Sequence, residues 1–299
     1  MTLPDLPELI ALCGPAEGLS LHTRHPALAR LQGGHRSAQR GRGLEFAEVR
    51  PYAAGDDARC IDWRVTARRG RPHTKLFREE RERPVWLVAD LHPGLYFGSR
   101  RQLKSALLLR AAALLGWVAV LGGDRLGAIV AGNGTPQILP PRARRAGVLP
   151  VLQALVQAQP QGPAAAATGT LNSALASLRP LLQPGSLVLV LSDFSSLDRD
   201  TESALAALAQ RCDCRLLWLV DPLESAALPA GSYRVGLPGR VWWLDGEQSR
   251  KSWQARWTAR EQHLTGLARR LDLPLCRLQT ADAVTESLPP LLREPAWAA

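Results

Sequence analysis

A chain of 299 residues with 46% apolar content can bury a sizeable core and suits one large or two small domains. The start, MTLPDLPELIALCG, has no basic segment ahead of a long apolar run, and the longest apolar stretch, Ala111 to Gly123, is short for a bilayer span; the expectation is a cytoplasmic protein with no secretory signal and no integral membrane segment. The net charge of +10 suits nucleic acid, an anionic membrane or an acidic protein, but over residues 22–83 fifteen Arg or Lys are interleaved with eight Asp or Glu, without the aromatic rhythm of a nucleic-acid binder.

Residues 1–83 read as a first region. Leu6 to Leu12 and Pro26 to Leu31 are short helix candidates, and the Gly- and Arg-rich stretch 33–43 reads as a loop. Gly55-Asp56-Asp57 is a turn signal. Arg59 to Val65 alternates, which predicts a strand with Ile61 and Trp63 on one side, both expected to be buried. Thr74 to Phe77 predicts a second short strand.

From residue 84 to 292 strands alternate with helices, and 293–299 is left as a tail. VWLVAD (85–90), SLVLVLSD (186–193) and CRLLWLVD (214–221) are apolar runs that each end on a carboxylate. Such runs predict adjacent, buried, parallel strands that place Asp90 and Asp193 at the carboxyl edge of one sheet. Strands are also expected at 124–131, 136–139 and 273–279, with a small hairpin at 233–235 and 241–244. Helices are expected at 102–120, 147–159, 171–182, 201–211, 253–271 and 283–292. The pattern gives an α/β fold, a mostly parallel sheet with helices on both faces. The five cysteines are scattered, and Cys212-x-Cys214 has the wrong spacing for a zinc knuckle, so they read as reduced thiols.

The densest motif lies at 41–83. Gly43, Glu45, Phe46, Arg50, Pro51, Tyr52, Gly55, Asp56, Asp57, Arg59, Ile61, Asp62, Trp63, Ala67, Arg68, Phe77 and Glu80 match, at fixed spacing, a bacterial family of von Willebrand factor A-like proteins, domain of unknown function fifty-eight, which the chain resembles. The resemblance implies a von Willebrand A-like, Rossmann-like domain at 84–292 and a MoxR-type AAA+ ATPase as partner. Read from the residues alone, Arg50, Asp56, Asp57, Arg59, Asp62, Trp63 and Arg68 form a structural block of turn caps and ion pairs. Its exposed arginines also suit docking to an acidic surface.

Domains of the von Willebrand A type often carry a metal-ion-dependent adhesion site, in which an Asp-x-Ser-x-Ser loop, a Thr and a later Asp hold Mg²⁺. Here Asp90, Thr170 and Asp193 match, while His92 and Gly94 stand where the serines belong. Imidazole is a poor Mg²⁺ ligand and Gly offers no oxygen, so the expectation is a degenerate site, no cofactor, and Mg²⁺ as the one candidate ion. His92 and Ser99 in the loop after Asp90, with Arg36, Arg40 and Arg42, are the expected partner contacts. The chain has no G-x-x-x-x-G-K-[ST] and no G-x-S-x-G. A non-enzymatic adaptor for the ATPase is therefore the reading. The alternatives are a metal-dependent hydrolase using Asp90, Asp193 and the Asp56/Asp57/Asp62 cluster, and an Arg-rich nucleic-acid binder.

Overall fold

A computed structural model describes residues 2–21, 44–53, 61–79, 82–132, 134–164, 169–237, 239–288 and 292. Two compact units are present, Gly33–Glu82 and the combination of Met1–Gln32 with Arg83–Ala299.

The larger unit is built on a six-stranded sheet of β3 (Pro84–Asp90), β4 (Arg125–Ala131), β5 (Gln137–Ala143), β6 (Leu187–Ser192), β7 (Asp213–Val220) and β10 (Leu275–Gln279), in the order β10-β7-β6-β3-β4-β5. All neighbours are parallel except β4 and β5. β5 carries Pro140 and Pro141, which cannot donate to a ladder and are tolerated on an edge. The three apolar runs that end in Asp are the central strands β3, β6 and β7, side by side and parallel. Strand order reverses between β3 and β6, which makes their carboxyl ends the switch point where open α/β sheets form a crevice.

Because side chains alternate along a strand, β3 feeds two cores. Val85, Leu87 and Ala89 pack with helices α4 (Lys104–Leu121) and α5 (Arg145–Ala158). Trp86 and Val88 pack on the opposite face with α6 (Thr170–Leu178), α7 (Arg199–Ala209) and α9 (Gly246–Arg270). α4 is apolar all round, and sixteen of its eighteen residues are buried. It has the length and apolarity of a membrane-crossing helix, but it is the core helix of this unit. Gly116 lets it approach the sheet, since a Cβ there would lie 2.9 Å from Leu126 Cδ2.

The short helices α1 (Leu6–Ala11) and α2 (Cys13–Ala16) belong to this unit as well. Leu9 and Ala16 are fully buried in the first core, and Trp117 Nε1 donates to Leu9 O at 3.1 Å. The proposed first region 1–83 is thus divided, because the apolar face of the N-terminal helices is covered by α4 and α5.

The smaller unit pairs β1 (Leu44–Pro51) with β2 (His73–Glu79) in antiparallel register and carries helix α3 (Trp63–Arg69). The strand expected over Arg59–Val65 is corrected. Ile61 makes an isolated bridge to Thr74, and Asp62 then caps a helix, its Oδ1 accepting from the backbone N–H of Arg64 and Val65 at 3.0 and 3.1 Å. Gly70 ends that helix in the left-handed region at φ 66°. Trp63 opens the helix and is 70% exposed, which also corrects its expected burial.

Two elements differ from the sequence reading downstream. Helix α8 (Pro222–Ala226) follows β7, where the sequence pattern predicts no element. The last helix, α10, is described only over Val284–Ser287. The hairpin of β8 (Ser232–Leu237) and β9 (Arg240–Asp245) is present as a separate two-stranded sheet.

Candidate functional site at the carboxyl edge of the sheet

Three strand ends deliver three carboxylates, and each is held differently. Asp90, the last residue of β3, is 3% exposed. Its Oδ1 accepts from Thr170 Oγ1 at 2.6 Å and its Oδ2 from Ser192 Oγ at 2.6 Å. Ser192 Oγ in turn accepts from the Phe194 N–H at 2.9 Å. Burial pushes the Asp90 carboxyl above its ordinary range, against the pull of His92 and the two hydroxyls.

Asp193 follows β6 and is 2% exposed. Its Oδ2 lies 2.6 Å from Lys104 Nζ. Its Oδ1 accepts from the Ser195 N–H at 2.9 Å and lies 3.2 Å from His92 Nε2. The ammonium of Lys104 is itself buried and reaches Glu224 Oε1 at 3.0 Å. Arg260, from α9, donates to the backbone carbonyl of Asp193 and sits 3.6 Å from Glu224 Oε1. Burial works against every charge here, yet mutual pairing outweighs it. Lys104 is held above its ordinary range by Asp193 and Glu224, and Asp193 well below its own by Lys104 and His92. For His92, too, burial is the largest influence and lowers it, but the Asp193 hydrogen bond and charge, with Asp90, leave it raised.

Asp221, after β7, caps α8. It accepts from the Ser99 N–H at 2.7 Å, from the Ser99 and Thr280 hydroxyls, and from the Leu223 N–H at 2.9 Å. Burial opposes its charge, but the hydrogen bonds from Ser99, Thr280 and Leu223 bring its carboxyl below the ordinary range. Its own N–H donates to Glu224 Oε2 at 2.9 Å, completing a capping box. Glu224 therefore links the Asp221 and Asp193 clusters through one carboxylate.

Asp90, Thr170 and Asp193 thus gather at one sheet edge, but their oxygens are engaged by protein donors. Among the described residues no group of three or more His, Cys, Asp or Glu is arranged to hold a metal ion. The donor set does not fit an octahedral Mg²⁺. The Asp193 carboxylate already faces an ammonium, and the loop positions after Asp90 offer the His92 imidazole and Gly94. His92 Nδ1 is buried without a protein partner.

The remaining sequence-selected residues fall elsewhere. His92 and Ser99, expected to touch a partner, bind Asp193 and Asp221 within the chain; His92 is buried and Ser99 is exposed. Arg50, Asp62, Trp63 and Arg68 lie in the smaller unit, where Arg50 donates to Pro51 O at 3.2 Å. Arg36, Arg40, Arg42, Asp56, Asp57 and Arg59 lie outside the described residues. Lys104, Glu224 and Arg260 were not picked from the sequence. The signals were a lysine opening an apolar helix and the Asp221-Pro222-Leu223-Glu224 capping pattern. The thiols of Cys13, Cys212, Cys214 and Cys276 are free, and burial pushes that of Cys212 up to about 12.

A family model described as a protein of unknown function, DUF58, matches residues 48–263. Uncharacterized proteins of Mycobacterium tuberculosis and Mycobacterium bovis are each 33% identical over 194 residues, 65% of this chain and 60% of theirs. The chain thus spans about 60% of the length of the curated relatives it matches. Among solved structures, the conserved hypothetical protein BatB from Bacteroides thetaiotaomicron is 16% identical over 70% of this chain and 96% of that one, with a TM-score of 0.43. An aerotolerance-related membrane protein from Bacteroides fragilis is 15% identical over 70% and 98%, with a TM-score of 0.44.

Proposed function

This chain belongs to the DUF58 family of unknown function, and from that premise we propose that it is a non-enzymatic adaptor for a MoxR-type AAA+ ATPase, with an adhesion site that has exchanged its metal for an internal ammonium. The observation that carries this reading is Lys104. Its Nζ bridges Asp193 and Glu224 at the switch point, where a divalent ion would otherwise neutralise the carboxylates. A site closed in this way binds through its rim. The loop after β3 offers exposed Phe97, Arg100 and Arg101, an aromatic and two cations suited to an acidic protein surface. The ATPase would supply the hydrolysis and the adaptor the recognition of a client.

The hydrolase alternative needs Asp90 and Asp193 free to hold a metal or move a proton, and both have their oxygens taken by Thr170, Ser192, Lys104 and His92. The test is surface-plasmon binding of the organism's own MoxR-type ATPases, with and without nucleotide. Binding that weakens with salt and falls about tenfold or more in Arg100→Glu/Arg101→Glu supports the adaptor. No binding by any of them overturns it.

A further inference from the structure

The β8–β9 hairpin has no buried face. Its register pairs Arg234 with Trp243, Val235 with Trp242 and Gly236 with Val241. Side chains alternate, so Arg234, Trp243 and Val241 lie on one face, and Val235, Trp242 and Arg240 on the other. Both faces are open to solvent. Trp243 is 76% exposed, Val241 49%, Trp242 45% and Val235 38%. An isolated two-stranded ribbon with no covered face is marginal in water. This one has an indole, a valine and an arginine on each side.

Its root is fixed. Gly246 is buried, its N–H donates to Gly231 O at 2.8 Å, and a Cβ there would lie 2.0 Å from Pro229 O. The charged side chains between Ser232 and Leu244 are Arg234 and Arg240, with no carboxylate among them. The Arg240 guanidinium lies 5.3 Å from the Trp242 ring centroid. Asp245, the next carboxylate, is occupied as the cap of α9.

We propose that this hairpin docks on an anionic lipid surface, with Trp242 and Trp243 seated at headgroup level and Arg234 and Arg240 against the lipid phosphates. Apolar and basic groups on both faces favour a lipid interface over a protein, because a single protein surface would cover one face and leave an indole in water. Trp settles at such interfaces, having an apolar ring and an N–H donor. Arginines near anionic lipid add attraction that decays with salt. Among the described residues no further strand extends the ribbon, so its edge N–H and C=O groups need water or headgroups and hold it out of the hydrocarbon. The proposal stands on the hairpin alone and does not depend on the adaptor reading.

The test is co-sedimentation of the full chain with vesicles of equimolar phosphatidylcholine and phosphatidylglycerol, and with phosphatidylcholine alone. The wild type is expected to bind the anionic vesicles at low salt and to release with added salt. Trp242→Ala/Trp243→Ala leaves the charge unchanged and is expected to bind about tenfold or more weakly while melting like the wild type. Bromine-labelled acyl chains are expected to quench wild-type tryptophan fluorescence, which reads insertion without any substitution. Failure of the wild type to bind anionic vesicles overturns the proposal. So does a Trp double variant that binds as well as wild type, which would mean adsorption of a basic protein by charge alone. Loss of ATPase binding by the Trp variant, with no vesicle binding by the wild type, would reassign the hairpin to a protein partner.

Discussion

Lys104 Nζ lies 2.6 Å from Asp193 Oδ2, with both side chains 3% exposed. The first residue of the core helix thus neutralises the carboxylate that follows a central strand at the switch point of the sheet. Taking two charges out of water is costly, and their attraction, with Glu224, His92 and the Ser195 N–H, offsets that cost.

Removing one member should therefore be worse than removing the pair. Lys104→Met keeps the length of the side chain but removes the ammonium from the buried Asp193 carboxylate, leaving it to His92 and the Ser195 N–H, and should destabilise the larger unit by about 3–5 kcal/mol. Adding Asp193→Asn should recover part of that loss, although Glu224 remains short of its ammonium. Urea unfolding of the two single variants and the double variant closes the cycle; additive losses would mean that the two groups are not coupled.

His92 sets a pH dependence of known sign. Its ordinary value is 6.5; burial, the largest influence, lowers it and Lys104 does the same, but Asp193 and Asp90 outweigh them and leave it raised. A group whose value is raised by folding contributes stability fully below its unfolded value and loses it as pH rises through the folded one. The stability deficit of His92→Gln should thus be larger near about pH 6 than near about pH 9. Denaturant midpoints of wild type and variant at both values measure it, and a deficit that grows with pH would reverse the sign.

The N-terminal helices should behave as part of the sheet unit. Leu9 is fully buried in the core with α4, and its carbonyl takes the Trp117 N–H. Leu9→Ala should cost about 2–5 kcal/mol. Thermal melting followed by near-ultraviolet signals checks it, and an unchanged midpoint would place α1 outside the core.

In the smaller unit, Asp62→Ala should remove the cap of α3 at a cost of about 0.5–2 kcal/mol, while Asp62→Asn should cost less. Hydrogen exchange at Arg64 and Val65 reports it locally, since those two N–H groups lose their acceptor.

Much of this architecture was legible because apolar runs ending in Asp leave few alternatives to buried parallel strands, and β3, β6 and β7 follow them. Asp90 and Asp193 reach one edge for the same reason. The ion pair was not legible. Lys104 lies 89 residues from Asp193 and 120 from Glu224, so their meeting depends on how α4 crosses the sheet. In α3 the two-residue alternation of Ile61, Trp63 and Val65 competed with local helix signals and lost. Asp62 at the cap, Arg68 and Arg69 in the last turn and Gly70 beyond it all favour a helix. The last strand, β10, was readable, while α8 was hidden by its length of five residues.

The central claim is that an ammonium, not a metal, closes the switch-point site. Thermal melting of the wild type in chelator and in millimolar Mg²⁺ or Mn²⁺ tests it most directly, because an ion that binds only the folded state raises the midpoint. The account predicts midpoints that agree within about 1 °C, given that Lys104 already faces Asp193 and Glu224. A rise of several degrees that Asp193→Asn abolishes would contradict it and return the site to metal chemistry.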